Sequence, residues 1–251
     1  MHIVITGAAG RVGREIVGYL SGSHELCLID RYPVAGYESI ITDLSLNDGD
    51  TNFNSSQEIS QKIWTDAFRN AEVVIHLAEE PKTNASWERV FQNNIKATWN
   101  VFQACAQHHV GRIVYASSNW VVKALELELA PSCYEPEGPK IGSCADPRPV
   151  NPYGIGKAFG EMLGRILVND KRICSFVALR IGWFTPTPPD NADYRRRAIG
   201  AHDLRSLFRR CVEAEFDGFH IIYGVSAQTI SPYDISYTTR LLSWEPEQIS
   251  P

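Results

Sequence analysis

The stretch that decides the fold is Met1-His2-Ile3-Val4-Ile5-Thr6-Gly7-Ala8-Ala9-Gly10-Arg11-Val12-Gly13. An apolar run, Ile3 to Ile5, leads into glycines at positions 7, 10 and 13, and helix-compatible sequence continues through Leu20. The order is strand, tight turn, helix. Glycines at such a turn let a dinucleotide pyrophosphate come almost into contact with backbone N–H groups at the helix N-terminus. A side chain there blocks the approach or pushes helix and strand apart. Glycine turns follow many strands, so the triplet alone says little. Here a second apolar run, Leu26-Cys27-Leu28-Ile29, closes on Asp30, 20 residues past Gly10. That is about the spacing of a carboxylate that grips an adenosine ribose. The pattern predicts a bound dinucleotide.

Composition narrows the rest. A chain of 251 residues can bury the sheet of one large α/β domain, and 44% hydrophobic with 21% charged residues fits an ordinary globule. A formal net charge of −5 argues against a nucleic-acid partner, whose phosphates demand a basic face. No apolar run approaches the roughly 18 residues needed to span a bilayer, so no membrane partner is expected. The first strand begins at residue 2 and enters the glycine turn directly, which leaves no room for a signal peptide. The 6 cysteines (27, 105, 133, 144, 174 and 211) form no C-x-x-C pair and no metal-ligand spacing. No metal is expected, and Cys27, Cys105 and Cys174 read as small buried hydrophobes in a reducing, cytoplasmic setting. Cys133 and Cys144 share one loop, but a functional disulfide between them is the less favoured reading.

Along the chain, a short strand is expected near Glu38–Ile41 and a helix over Gln57–Arg69. Glu72–Ala78 has the continuous apolar character of a parallel strand buried on both faces. A long helix follows over Trp87–His108, then a strand over Arg112–Ser117. The segment Lys123–Pro152 holds five prolines before Pro152 and cannot be one helix. Pro152 suits the first turn of a helix running to about Val168. Ser175–Ile181 and Phe219–Tyr223 read as strands around a helix at Asp203–Glu215. Strands alternating with helices at this rhythm predict a Rossmann-type, doubly wound parallel sheet of about seven strands. Residues 1–180 would form the nucleotide-binding domain, and 181–251 a small substrate cap sharing its core.

The second informative cluster is Asn151-Pro152-Tyr153-Gly154-Ile155-Gly156-Lys157. Tyr153 and Lys157 lie four apart on a helix and share one face. A free tyrosine, with a pKa of about 10, is a poor base at neutral pH. An adjacent ammonium and a positive nicotinamide ring would favour its phenolate, and the same lysine could hold the nicotinamide ribose. The strand Arg112–Ser117 runs into Ser117-Ser118-Asn119, which puts hydroxyls at the carboxyl end of a strand, where ligands sit in doubly wound sheets. A Tyr-x-x-x-Lys pair in isolation occurs on many helix surfaces; following a glycine turn and a Ser-Ser strand end, it is far more specific.

These motifs resemble the extended short-chain dehydrogenase/reductase family, which includes NAD-dependent sugar epimerases and dehydratases. The matching stretches are Thr6–Gly13, His76-Leu77-Ala78, Asn94-Ile95, Val114–Ser118, Tyr153–Lys157 and Leu179-Arg180-Ile181-Gly182, in family order over about the first 180 residues. Within the family the chain is most similar to uronate dehydrogenases, through Ser117-Ser118-Asn119, Lys157–Glu161, Tyr223–Ala227 and the finish Leu242–Pro246. The resemblance implies NAD as cofactor, held by Gly7, Ala9, Gly10, Arg11, Val12 and Gly13 at the turn and by Asp30 and Arg31 at the ribose. Asp43 and Leu44 would lie by the adenine. Leu77, Ala78, Asn94 and Ile181 would also contact the cofactor, with Tyr153 and Lys157. It implies oxidation of a hexuronic acid at C1 to a lactone, with Tyr153 as base, Ser118 holding the reacting oxygen and Lys157 tuning the tyrosine. Asn119 and Trp120 would touch the sugar, and Arg180 would pair with the substrate carboxylate, a task suited to a planar guanidinium; a structural ion pair is its alternative. A homodimer through helices 87–108 and 153–168 is also implied.

The chain departs from that pattern at Trp120, where uronate dehydrogenases usually carry His, and in the longer loop up to Tyr153, which holds Tyr134, Lys140, Cys144 and Arg148. Glu79-Glu80-Pro81-Lys82 also lacks the small residues expected near the sugar. Substrate identity therefore stays open. The alternatives are an NAD-dependent sugar epimerase or dehydratase, an aldose or sugar-phosphate dehydrogenase and, more remotely, a catalytically silent NAD-binding module. A carboxylate at Asp30 repels a 2′-phosphate and favours NAD over NADP, although Arg31 could soften the preference. The run Arg195-Arg196-Arg197 reads as a solvated helix face before it reads as a phosphate grip. Gly224-Val225-Ser226-Ala227-Gln228 lacks the closing glycine of a nucleophile elbow.

Overall fold

The computed structural model describes residues 1–46, 64–187, 189–227 and 230–247. Its strands are β1 (His2–Thr6), β2 (Glu25–Asp30), β3 (Ile40–Ile41), β4 (Val73–His76), β5 (Arg112–Ser118), β6 (Ser175–Ile181), β7 (Trp183–Phe184), β8 (Ala198–Ile199) and β9 (Gly218–Gly224). Seven of them form one sheet in the order β3-β2-β1-β4-β5-β6-β9, with every neighbouring pair parallel. The chain winds outward from β1 to β3, then returns to place β4 on the other side of β1. At that reversal the connections leave in opposite directions, and a crevice opens above the carboxyl ends of β1 and β4.

Alternation along β1 divides the core. Ile3 and Ile5 belong to one layer with Ile16, Val17 and Leu20 of the helix Arg11–Leu20 and Leu204, Leu207 and Phe208 of the helix Ala201–Glu213. Val4 faces the other layer, built with Val101 and Phe102 of the helix Ala97–Gln107 and Leu163 and Leu167 of the helix Pro152–Asn169. With both faces covered, the strands carry the unbroken apolar character seen in the sequence.

Residues beyond 181 remain tied to this core: β9 pairs with β6, and Ile222, Leu242 and Trp244 lie in the first layer. A smaller cluster of Val121, Val122, Ile141, Tyr223, Val225 and Tyr233 joins the segment after β5 to the end of β9.

Three local findings refine the expected elements. The strand near Glu38–Ile41 is only Ile40–Ile41, and most of the helix expected over Gln57–Arg69 lies outside the described residues. The long helix expected over Trp87–His108 consists of α-helical Trp87–Val90 and Ala97–Gln107 around a π-helical segment, Phe91–Lys96. Such segments interrupt the regular hydrogen-bond ladder and often mark functional sites. The segment after Lys123, expected as loop, contains a helix over Lys123–Leu129.

The helix carrying Tyr153 and Lys157 starts as its sequence dictates. Asn151 Oδ1 accepts from Gly154 N at 2.8 Å and Pro152 occupies the first turn. Gly160 brings this helix hard against the sheet, since a Cβ there would lie 2.3 Å from the Tyr115 ring. Cys174 is exposed rather than buried, and Cys133 and Cys144 are separate free thiols. Among the described residues there is no metal-binding cluster and no helix long and apolar enough to cross a membrane.

Candidate active site

Two adjoining cavities lie above the carboxyl ends of the strands. The first, of about 370 Å³, is lined by Gly7, Ala9, Gly10, Asp30, Arg31, Leu44, Leu77 and Ala78 among others. The second, of about 290 Å³, is lined by Arg11, Val12, Ser118, Asn119, Trp120, Tyr153, Lys157 and Ile181 among others. Leu77, Glu79 and Pro81 line both.

The first cavity is made mostly of backbone. Gly7 has φ +74°, and a Cβ on it would lie 2.6 Å from Ala78 N, so only glycine lets β1 turn beside the end of β4. Gly10 caps the helix Arg11–Leu20 in extended conformation, and no side chain caps the first turn. Glycine at the turn and the positive end of a helix together make a cradle suited to a pyrophosphate. Gly13 lies inside the turn, where an added Cβ would meet Gly7 O at 2.4 Å; its role is close packing. Asp30 stands at the end of β2, with Oδ2 accepting from Ala9 N at 2.9 Å and Oδ1 from Tyr32 N at 3.0 Å, and it faces the cavity. These residues fit NAD: a carboxylate for the ribose diol, backbone for the phosphates, Leu44 and Ala97 as apolar walls.

Arg31 is committed elsewhere. Its Nη2 donates to Asp43 Oδ1 and to Asn93 Oδ1, each at 2.7 Å. Asp43 also accepts from Ser45 N and Oγ. Burial works against the Asp43 carboxylate, but Arg31 and Ser45 hold its pKa below the ordinary value. Asp43 does not line the cavity, and Asn94 lies behind it: Asn94 Oδ1 accepts from Glu80 N at 3.0 Å, so the π segment bolts down the loop after β4.

In the second cavity the structure brings together Ser118, Asn119, Trp120, Tyr153, Lys157 and Ile181. Ser118 ends β5, its Oγ accepting from Trp120 N at 3.2 Å. Asn119 is fixed by donation from Nδ2 to Tyr233 Oη at 2.8 Å. Lys157 Nζ lies 5.6 Å from the centre of the Tyr153 ring. It is buried and pairs with Glu79, and it donates to Ala116 O. Burial pushes the ammonium toward neutrality, but Glu79 and Tyr153 outweigh that and leave its pKa above the usual lysine value. The Glu79 carboxyl is pushed up by burial despite Lys157. His76, between Thr6 Oγ1 at 2.6 Å and Thr98 Oγ1 at 3.0 Å, is held down to about 3 by burial and by Lys157, and is a neutral structural link.

Arg180 is not in the cavity. It is completely buried, and its guanidinium forks onto Glu161, Nε to Oε1 and Nη2 to Oε2, both at 2.9 Å. Nη1 donates to Tyr223 Oη at 3.2 Å and Ala145 O at 3.3 Å. Successive strand residues point to opposite faces, so Ile181 lines the cavity and Arg180 turns away. The expected substrate carboxylate is replaced by the chain's own Glu161, which also accepts from Ser117 Oγ at 2.5 Å.

Among the described residues three cations line the cavity, Arg11, Lys157 and Arg197, and the last comes from the run read as a solvated face. Arg197 Nε donates to Glu126 Oε1 at 2.7 Å. Glu126, in the helix after β5, is fully buried and also accepts from Lys123 Nζ at 2.9 Å, Tyr134 Oη at 2.8 Å and Tyr233 Oη at 2.6 Å. Burial disfavours its charge, but these donors win and hold its pKa low. One carboxylate between two cations leaves a surplus positive charge beside the cavity. Ser226 is structural: its Oγ accepts from Gly200 N at 3.0 Å and donates to Asp203.

Residues 3–198 match the sequence profile of the NAD dependent epimerase/dehydratase family. The chain is 34% identical to an NAD-dependent glucose-6-phosphate dehydrogenase of Haloferax volcanii, over 99% of this chain and 94% of that protein. It is 29% identical to an L-arabinose 1-dehydrogenase (NAD(P)(+)) of the same organism, over 99% and 97% of the two. Among solved structures, uronate dehydrogenase from Agrobacterium tumefaciens superposes with a TM-score of 0.79 at 25% identity, covering 98% of this chain and 84% of that one.

Proposed function

The chain belongs to the NAD-dependent epimerase/dehydratase family and is an NAD-dependent dehydrogenase; we propose that its substrate is a cyclic aldose with an anionic substituent, oxidised at C1 to the lactone. The observation that carries this reading is the convergence of Ser118, Tyr153 and Lys157 on a cavity adjoining the dinucleotide cleft, with Arg197 on its wall. Ser118 Oγ and Tyr153 Oη hold the C1 hydroxyl. Tyr153, as phenolate, takes the hydroxyl proton as the C–H bond breaks. Lys157 stabilises the phenolate by charge. NAD supplies the hydride acceptor.

Arg197 and Lys123, with one carboxylate between them, favour an anionic sugar over a neutral one. Hexuronic acids are the first candidates. Aldose phosphates are the second, supported by the similarity to a glucose-6-phosphate dehydrogenase. The test is NADH formation from NAD⁺ with a panel of uronic acids, aldose phosphates and neutral aldoses. The expected outcome is turnover of an anionic aldose with a higher kcat/KM than its neutral counterpart; the reverse order overturns the anion reading.

The partner proposed is a second copy of this chain. Trp87, Phe91, Trp99, Ile155, Met162 and Ile166 are exposed, and they lie on the two helical segments expected to pair. Exposed apolar side chains gathered on two adjacent helices support this pairing. Light scattering should give twice the chain mass, and Ile166→Glu should give the monomer. A monomer for the unmodified protein contradicts the pairing.

A further inference from the structure

We propose that Glu79 is a positioning residue that clamps Lys157 and, through its negative charge, offsets part of the electrostatic help the ammonium gives Tyr153 as base. The inference rests on the reading of Tyr153 as that base.

Glu79 follows the end of β4 and lines both cavities, at the junction between nucleotide and substrate. One carboxylate oxygen meets Lys157 Nζ, and the other accepts from Tyr115 Oη at 2.5 Å. Asn94 Nδ2 approaches the first oxygen at 3.5 Å. Of the three N–H donors on the ammonium, one is therefore held by Glu79 and a second by Ala116 O, leaving one for the reaction space. This fixes the direction in which Lys157 presents that donor.

The charge consequence follows from what else faces the ammonium. From its own helix come Tyr153 and Glu161, and the Glu161 carboxylate is bound by Arg180. β4 contributes His76, which is neutral, and β5 contributes Tyr115, whose hydroxyl donates to Glu79 and whose ring centre lies 5.4 Å from Nζ. Glu79 is thus the carboxylate that directly offsets Lys157. A paired ammonium pulls less strongly on a neighbouring phenolate than a free one. Glu79 exchanges part of the lysine's electrostatic help for a fixed lysine geometry.

The experiment compares Glu79→Gln, which keeps the size and removes the charge, with Glu79→Asp, which keeps the charge and withdraws it by one methylene. In E79Q the acidic limb of kcat/KM for oxidation should move down by about one pH unit. In E79D the limb should stay nearer the unmodified position while kcat falls roughly tenfold through misplacement of Lys157. A second readout needs no turnover. The alkaline phenol absorbance titration of cofactor-free protein, taken as a difference from the matching Tyr153→Phe protein, should shift to lower pH in E79Q. Should E79Q fail to fold by thermal melting, Glu79→Ala removes the same charge and is read in the same way. A lowered melting temperature with limb and phenol signal unmoved makes Glu79 merely structural and overturns the proposal. Equal shifts in E79D and E79Q overturn the charge argument. If no sugar of the panel is oxidised, the functional reading fails, while the phenol titration still decides the role of Glu79.

Discussion

The nucleotide half and the substrate half of the site are built from different materials. The first rests on backbone: a glycine turn between β1 and its helix, held by contacts such as Gly7 N to Ile29 O at 2.8 Å, with one carboxylate at the end of β2. The second is built on side-chain ion pairs that join remote parts of the chain: Glu79 with Lys157 and Glu126 with Arg197. A backbone cradle tolerates few residue types and writes its requirement into consecutive positions. A charge network is specified by partners that only the fold brings together. The nucleotide half is therefore specified by local sequence, and the substrate half by pairings that only the fold makes.

Single substitutions separate the contributions of the two halves. The largest effect is expected for Tyr153→Phe, which removes the proton acceptor and should lower kcat by about 10²- to 10⁴-fold. The dissociation constant for NAD, read by fluorescence, should barely change. A comparable loss of NAD binding would show that the two halves are not separable. Next comes Arg180→Ala. It leaves Glu161 as an uncompensated buried charge, which costs about 3–5 kcal/mol. Urea unfolding should show that loss, and the KM effects should be alike for uronates and neutral aldoses; a KM rise confined to uronates would return Arg180 to the substrate site. Arg197→Ala should raise KM for an anionic aldose by roughly tenfold, with a smaller change for a neutral one. Asp30→Asn should have the smallest effect, reducing the preference for NAD over NADP by several-fold, since it removes the charge that repels a 2′-phosphate. An unchanged preference would take the discriminating role away from Asp30.

The two halves are unequally legible in the sequence, for the same reason. The glycines, Asp30, the strand rhythm and the Asn151-Pro152 helix start are local instructions, and sheet and cleft were legible from them. Ser118, Asn119, Trp120, Tyr153 and Lys157 were also legible, because a strand end and an i, i+4 helical pair place them, and the structure gathers them around one cavity. Arg180 suits a substrate carboxylate by its type, but the alternative of a structural ion pair is what the fold forms: its partner, Glu161, sits one turn beyond Lys157 on the same helix. That spacing was a usable signal. Arg197 and Glu126 are 71 positions apart, and nothing local ties an exposed-looking arginine run to a glutamate in the helix after β5. Glu79 stood out as a departure from the small residues expected there, but its partner emerged only with the fold.

Hydride removal from C1 with Tyr153 as base can be followed by isotope transfer. The protein is incubated with NAD⁺ and an anionic aldose deuterated at C1, with glucuronic acid tried first. One deuterium is expected on the nicotinamide ring of the reduced cofactor, together with the sugar lactone, with loss of both in Tyr153→Phe. Reduced cofactor without deuterium, or deuterium retained in an isomerised sugar with no net reduction, would contradict it.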